Sequence, residues 1–271
     1  AFLSPLIKQN KSIGFVPTMG ALHQGHLSLL KNSLSENDVT VMSIFVNPTQ
    51  FNNAEDLDKY PRTLERDVQI MQDLSNNIIV YAPEVADIYE GNTISESFNY
   101  DGLENQMEGK HRPGHFDGVG TIVKRLFEIV QPNKAYFGEK DFQQLQIVKK
   151  LVSKYNIPVD VIGCPIHREV NGLAMSSRNE RLSETAREKA AIIYQILNSA
   201  KEIFQTNSAE QTIKFVENEF KKHPEFELEY FEIADEATLL PVSEKESEKK
   251  YRGFIAIFIE NIRLIDNISL N

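Results

Sequence analysis

Apolar positions follow two different periods along this chain. Through the first two thirds, short runs rich in β-branched residues alternate with stretches in which apolar residues return every three or four positions. Ile13–Thr18 is a short apolar run. Val39–Val46 (VTVMSIFV) is nearly continuous, as a strand buried on both faces should be. Residues 78–82 (IIVYA), 135–137 and 159–162 supply three further strand candidates. Between them, Phe142, Leu145, Val148, Val152 and Tyr155 step by three or four and set one apolar stripe on a helix. Residues 119–130 are apolar on most sides and predict a buried helix. Such alternation predicts an α/β fold: a parallel sheet with right-handed crossovers and helices on both faces. The pattern changes near residue 180. Ala186, Ala190, Ile193, Leu197, Ala200 and Phe204 predict one helix with Ser183 as its N-cap. Ser208 and Gln211 form a capping box before another. Strands are predicted at 228–234, 252–260 and 262–268, with the charged run EKESEKK (244–250) as a solvated hairpin tip, or alternatively a mobile lid. Two helices followed by strands make a separate small α+β domain. The division falls at residues 1–178 and 179–271.

Composition narrows the function. The 271 residues are 41% hydrophobic and 25% charged, the balance of a globular protein with an ample core. A net charge of −10 gives no bulk attraction for nucleic acid, so any polyanion must be met by a local cluster of positive charge. The single cysteine, Cys164, excludes an intrachain disulfide framework and a cysteine-based zinc site, and points to a reducing, cytoplasmic setting. No apolar run reaches the roughly 18 residues that span a bilayer, so no membrane partner is expected. The first fifteen residues carry no apolar signal-peptide region.

Five segments hold candidate chemistry. In GFVPTMGALHQGHLSLL (14–30), Gly20 and Gly25 have the spacing of a P-loop, but His26 and Leu27 follow where Lys and Ser/Thr are needed, which excludes it. What remains is His23 and His26, three apart at a helix start after the first strand, where the helix dipole suits phosphate. Gly25 leaves room for a ligand. A zinc site from His23/His26 and His111/His115 fails, because Pro113 and Gly114 break the second pair and no acidic ligand is placed. In FVNPTQF (45–51), Asn47 and Gln50 sit at the C-terminal end of a buried strand, where open α/β sheets bind ligands. EGKHRPGHFDGVG (108–120) is predicted to be a flexible cationic loop with Lys110 and Arg112. In YFGEKDFQQ (136–144), Asp141 is a candidate N-cap, while Lys140 stands against the helix dipole, which suggests a binding role for it. In REVNGLAMSSRN (168–179), Ser176, Ser177 and Arg178 form a compact donor set for outer phosphates. No convincing Ser-His-Asp or Cys-His set is present.

Together, these blocks resemble the pantothenate synthetase (pantoate–β-alanine ligase) family, over most of residues 13–182 and in order. The H-x-G-H also resembles the HIGH element of the adenylyl-transferring superfamily that includes class I aminoacyl-tRNA synthetases, and Met175–Arg178 its KMSKS counterpart. The resemblance implies a Rossmann-like N-terminal domain, a C-terminal lid and a homodimer. It further implies magnesium bound with ATP, and a two-step reaction through pantoyl adenylate that releases pyrophosphate and then AMP. Met19, Gly20, Ala21, Leu22, His23, Gln24, Gly25 and His26 should line the ATP site, with His26 a proton donor. Gly138, Glu139, Lys140 and Asp141 should meet ribose and phosphates, His167 the adenine through its backbone, and Met175, Ser176, Ser177 and Arg178 the triphosphate. Gln50 and Gln144 should hold pantoate, Gln50 also near β-alanine. His26, His23, Lys140 and Arg178 carry the catalysis. Asp67 is a candidate magnesium ligand. His167, Asn171 and Arg181 depart from the usual family pattern. A nucleotidyltransferase with another acceptor and a silent nucleotide-binding module are the alternatives.

Overall fold

The computed structural model describes residues 3–271; the first two positions of the N-terminal domain, and of the stretch read for a signal peptide, lie outside them. Five strands, β1 (Ile13–Thr18), β2 (Val39–Ile44), β3 (Ile78–Tyr81), β4 (Lys134–Gly138) and β5 (Asp160–Cys164), form a wholly parallel sheet in the order β3-β2-β1-β4-β5. The chain winds outward from β1 to β3, then returns to the other side of β1 for β4. Every predicted strand is present, with ends that differ from the expected ones by at most two residues in either direction.

Alternation within the strands serves two cores. Ile13, Phe15 and Val41 face one side, where Phe15 meets Phe127 edge-on at 6.2 Å between centroids. Val16 and Met42 face the other, against Leu30 of helix α2 (Gln24–Glu36). Gly14 lets that helix approach: a Cβ there would stand 2.1 Å from Ser33 Oγ. The remaining helices of this half are α1 (Ser4–Lys8), α3 (Ala54–Asp58), α4 (Leu64–Leu74), α5 (Val85–Tyr89), α6 (Met107–His111), α7 (His115–Val130) and α8 (Phe142–Lys154).

The segment expected to be a flexible loop at 108–120 is instead α6 and the start of α7. Pro113 and Gly114 punctuate two helices rather than abolish them; Gly114 takes φ +78° at the junction. The helix read from residue 119 therefore begins at His115.

The second unit holds α9 (Glu184–Lys189), α10 (Ala191–Thr206) and α11 (Ala209–Phe220). They cover an antiparallel sheet of β6 (Phe226–Asp235), β7 (Tyr251–Ile259) and β8 (Ile262–Ser269). The helix expected across 186–204 is divided at Ala190, whose carbonyl takes the Ile193 N–H in a tighter turn. Ser183 and the Ser208/Gln211 box cap as expected. The charged run at 244–250 lies exposed between paired strands β6 and β7. Leu173 packs into this second core, while Phe254 of β7 packs into the first, 6.0 Å from Phe142.

Candidate active site

An open α/β sheet leaves a crevice where the strand order reverses, at the carboxyl ends of the strands. Here that point lies between β1 and β4, and a cavity of about 230 Å³ opens there. Its wall includes Met19, His23, Gly25 and His26 after β1, Gln50 after β2, and Gly138, Lys140, Asp141 and Gln144 after β4. His167, Met175, Ser176, Ser177 and Arg178 close it. Of the expected residues, Gly20, Ala21, Leu22, Gln24 and Glu139 do not border it. Tyr60, which no motif signalled, does, and so does Phe45, the first residue of FVNPTQF, which was not singled out within that segment.

His23 is the N-cap of α2. Its Nδ1 accepts the Gly25 N–H at 3.2 Å, and His26 Nδ1 accepts the His23 N–H at 3.3 Å, a capping box made by two imidazoles. The rings lie 4.0 Å apart, tilted by 30°. Since each Nδ1 is an acceptor, a neutral ring must carry its proton on Nε2. Both rings are held neutral. Burial, then Lys140, lowers His23 to about 4. Burial, then His23 and Lys140, lowers His26 well below its ordinary value. The phosphate-binding pair expected at this helix start therefore consists of two neutral N–H donors, and the positive charge on the cavity wall comes from Lys140 and Arg178. Gly25 serves this cap as much as any ligand, because a Cβ there would stand 2.9 Å from the His23 ring.

Asp67 is not placed to hold magnesium. Its buried carboxylate accepts Ala21 N–H at 2.9 Å, Leu22 N–H at 2.8 Å and the Thr63 hydroxyl at 3.1 Å. It fixes the turn in which Gly20 and Ala21 take positive φ. Ser177 Oγ donates to Ala21 O at 3.1 Å, so the two expected phosphate loops are bonded to each other.

Asn47 is also structural: buried, it donates to Gly118 O and accepts from Tyr89 Oη at 2.6 Å. This anchors the turn Pro48–Gln50. The Gln50 carbonyl accepts Arg112 Nη2 at 3.0 Å and His115 Nδ1 at 2.9 Å. His115 thus carries its proton on Nδ1; burial, reinforced by Arg112, lowers it to about 3. Asp141 precedes α8 but makes no side-chain cap; its carboxylate lies 3.8 Å from Lys140 Nζ at the cavity. His167 O accepts the Met175 N–H. Arg178 pairs with Asp56 at 2.7 Å, and Arg181 takes the other oxygen at 2.7 Å. Burial would raise Asp56, but the two guanidinium groups hold it below its ordinary value. The departure at Arg181 therefore has a local partner. A wider groove of about 610 Å³ between the two units adjoins the cavity through Lys140, Asp141, Ser176 and Arg178.

The sequence family described as Pantoate-beta-alanine ligase matches residues 1–269. Pantothenate synthetase of Flavobacterium psychrophilum is 66% identical over 99% of this chain and 95% of that protein. The crystal structure of pantothenate synthetase from Thermus thermophilus is 42% identical, with a TM-score of 0.89 over 96% of this chain and 93% of that one. The pantoate-beta-alanine ligase of Francisella tularensis, solved with beta-gamma ATP and beta-alanine, is 38% identical, with a TM-score of 0.78 over 97% and 91%.

Proposed function

The chain belongs to the pantoate–β-alanine ligase family, and from that premise we propose how its residues divide the reaction. It is an ATP-dependent ligase that forms pantothenate from pantoate and β-alanine. The pantoate carboxylate attacks the α-phosphorus of ATP, the bond to pyrophosphate breaks, and pantoyl adenylate forms. The β-alanine amine, having lost a proton, then attacks the acyl carbon and AMP leaves.

Negative charge grows on the α-phosphate and the leaving pyrophosphate, and fixed donors must meet it. Lys140 supplies an ammonium; His23 and His26 supply Nε2–H donors. Because burial keeps these rings neutral, they steady phosphate oxygens as hydrogen-bond donors, and this reading replaces the proton-donor role that the resemblance implies for His26. Arg178, with Ser176 and Ser177, closes on the triphosphate, and the backbone of His167 receives the adenine. Gln50 and Gln144, uncharged, bind pantoate without neutralising its nucleophilic carboxylate. Magnesium, arriving with ATP, supplies Lewis-acid polarisation of phosphate oxygens. Among the described residues no group of three or more His, Cys, Asp or Glu can hold a metal ion, and Asp141 is the one carboxylate on the cavity wall. That donor set fits an ion carried mainly by the phosphates. Residues 1–178 bind ATP and pantoate; residues 179–271 act as a lid that keeps water from the adenylate. A homodimer follows the family resemblance, and the lone buried thiol Cys164 supports a cytoplasmic setting.

The observation that carries this reading is the meeting of the paired imidazoles and Lys140 on one cavity at the β1/β4 reversal. It is tested by AMP release with pantoate and β-alanine omitted in turn. AMP should require both substrates. Its release with pantoate absent would remove the ligase assignment.

A further inference from the structure

Strand β8 carries two buried neighbours, Asp266 and Asn267, outside the wall of the main cavity. Asn267 Nδ2 donates to Glu139 O at 2.9 Å and to Lys140 O at 2.8 Å, while its Oδ1 accepts Arg252 Nη1 at 2.6 Å. The amide can sit only this way round, since flipping it would set its oxygen against two carbonyls and its NH₂ against a guanidinium. The two carbonyls belong to the turn Glu139–Asp141, which presents Lys140 and leads into α8. No side-chain cap from Asp141 holds that turn. Its brace comes from the other unit of the molecule. On the adjacent residue, Asp266 accepts Arg168 Nη1 at 2.6 Å and Nη2 at 3.0 Å, and Arg168 Nη1 also donates to Gly172 O, steadying the loop before Met175–Arg178.

We propose that Asn267 is a positioning residue for adenylation: by holding the Glu139 and Lys140 carbonyls it fixes where the Lys140 ammonium meets the phosphates. The inference rests on the assignment of Lys140 to that step. It also makes the second unit part of the adenylation apparatus as well as a cover, because β8 sets Lys140 directly.

The test is a double-mutant cycle read by pantoate-dependent exchange of pyrophosphate into ATP, with rates taken per folded protein. Asn267→Ala should lower the exchange kcat about tenfold while the KM for pantoate moves less than about threefold, because position rather than binding is lost. Lys140→Ala should cost at least about a hundredfold. The double variant should be no slower than Lys140→Ala, since a brace has no effect once the group it aims is gone. Should Asn267→Ala not fold, Asn267→Asp keeps an acceptor for Arg252, removes both donors, and carries the same cycle. Wild-type exchange in Asn267→Ala, or losses that multiply in the double variant, would overturn the inference while leaving the role of Lys140 intact. Wild-type exchange in Lys140→Ala would instead overturn the role of Lys140 itself, and this inference with it.

Discussion

At the scale of single residues, the site turns on two imidazoles that the sequence placed but whose protonation it could not reveal. The spacing of His23 and His26, after a strand and at a helix start, was enough to bring both to the cavity. Their neutrality depends on burial and on Lys140, which arrives from a distant strand end and is invisible to local spacing. Loss of His26 or Lys140 removes one donor from the transition state, so His26→Ala and Lys140→Ala should each slow pyrophosphate exchange by about a hundredfold or more. A stopped assay on the purified variants checks this, and wild-type rates would contradict it. The depressed imidazoles also tie stability to pH. His23 falls from 6.5 to about 4 on folding and His115 to about 3, so between those values the unfolded chain binds more protons than the folded one. Stability is therefore full above pH 6.5 and declines as pH falls toward 4. Urea midpoints at pH 7 and pH 5 should show the drop, and His115→Gln should flatten it; equal midpoints in the wild type would refute the neutral-ring assignment.

At the scale of elements, periodicity found the strands and most helices because burial imposes it. It failed where tertiary contacts decide. Pro113 and Gly114 looked like the core of a loop, yet they only separate two helices, with Gly114 as the N-cap of α7, and Arg112 and His115 on either side are drawn inward to one carbonyl of Gln50. Asp67 looked available for a metal until the fold brought the turn at residues 21–22 onto it. The same dependence makes Gly118 a point of control. It lies on α7 where the turn Pro48–Gln50 crosses, and a Cβ there would stand 2.4 Å from Thr49 O and 3.1 Å from Gln50 N. Backbone cannot yield as a side-chain tip can, so Gly118→Ala must push the turn outward and carry Gln50 with it. The Kd for pantoate should weaken by about tenfold or more, with ATP binding changed far less, since a displacement near 1 Å is enough for such losses. Calorimetric titration of the two ligands separates these outcomes, and equal losses would show that the turn does not present a pantoate group.

At the scale of the whole molecule, the two units are joined by polar groups from far apart in the chain, which no window of sequence can pair. Glu108, read as part of a loop, is buried on α6, and Arg263 reaches it from β8 with two bonds of 2.7 and 2.8 Å. Tyr230 donates to the same carboxylate at 2.7 Å, and Glu229 shares the guanidinium. Burial alone would raise Glu108, but Arg263 and Tyr230 bring it down to about 2. The folded form thus favours the anion: its contribution is present above the ordinary carboxylate value near 4.5 and is lost as pH falls toward 2. Glu108→Gln leaves Arg263 to Glu229 alone and Arg112 to the Gln50 carbonyl, and losing the charged hydrogen bonds in a buried place costs about 1.5–3 kcal/mol. Chemical unfolding at pH 7 should show that loss, and the variant's stability should depend less on pH between 4.5 and 2 than the wild type's. If Glu108→Gln unfolds at the wild-type midpoint, the units are held by apolar contact such as Phe142 against Phe254, and the buried charges add specificity of docking without adding strength.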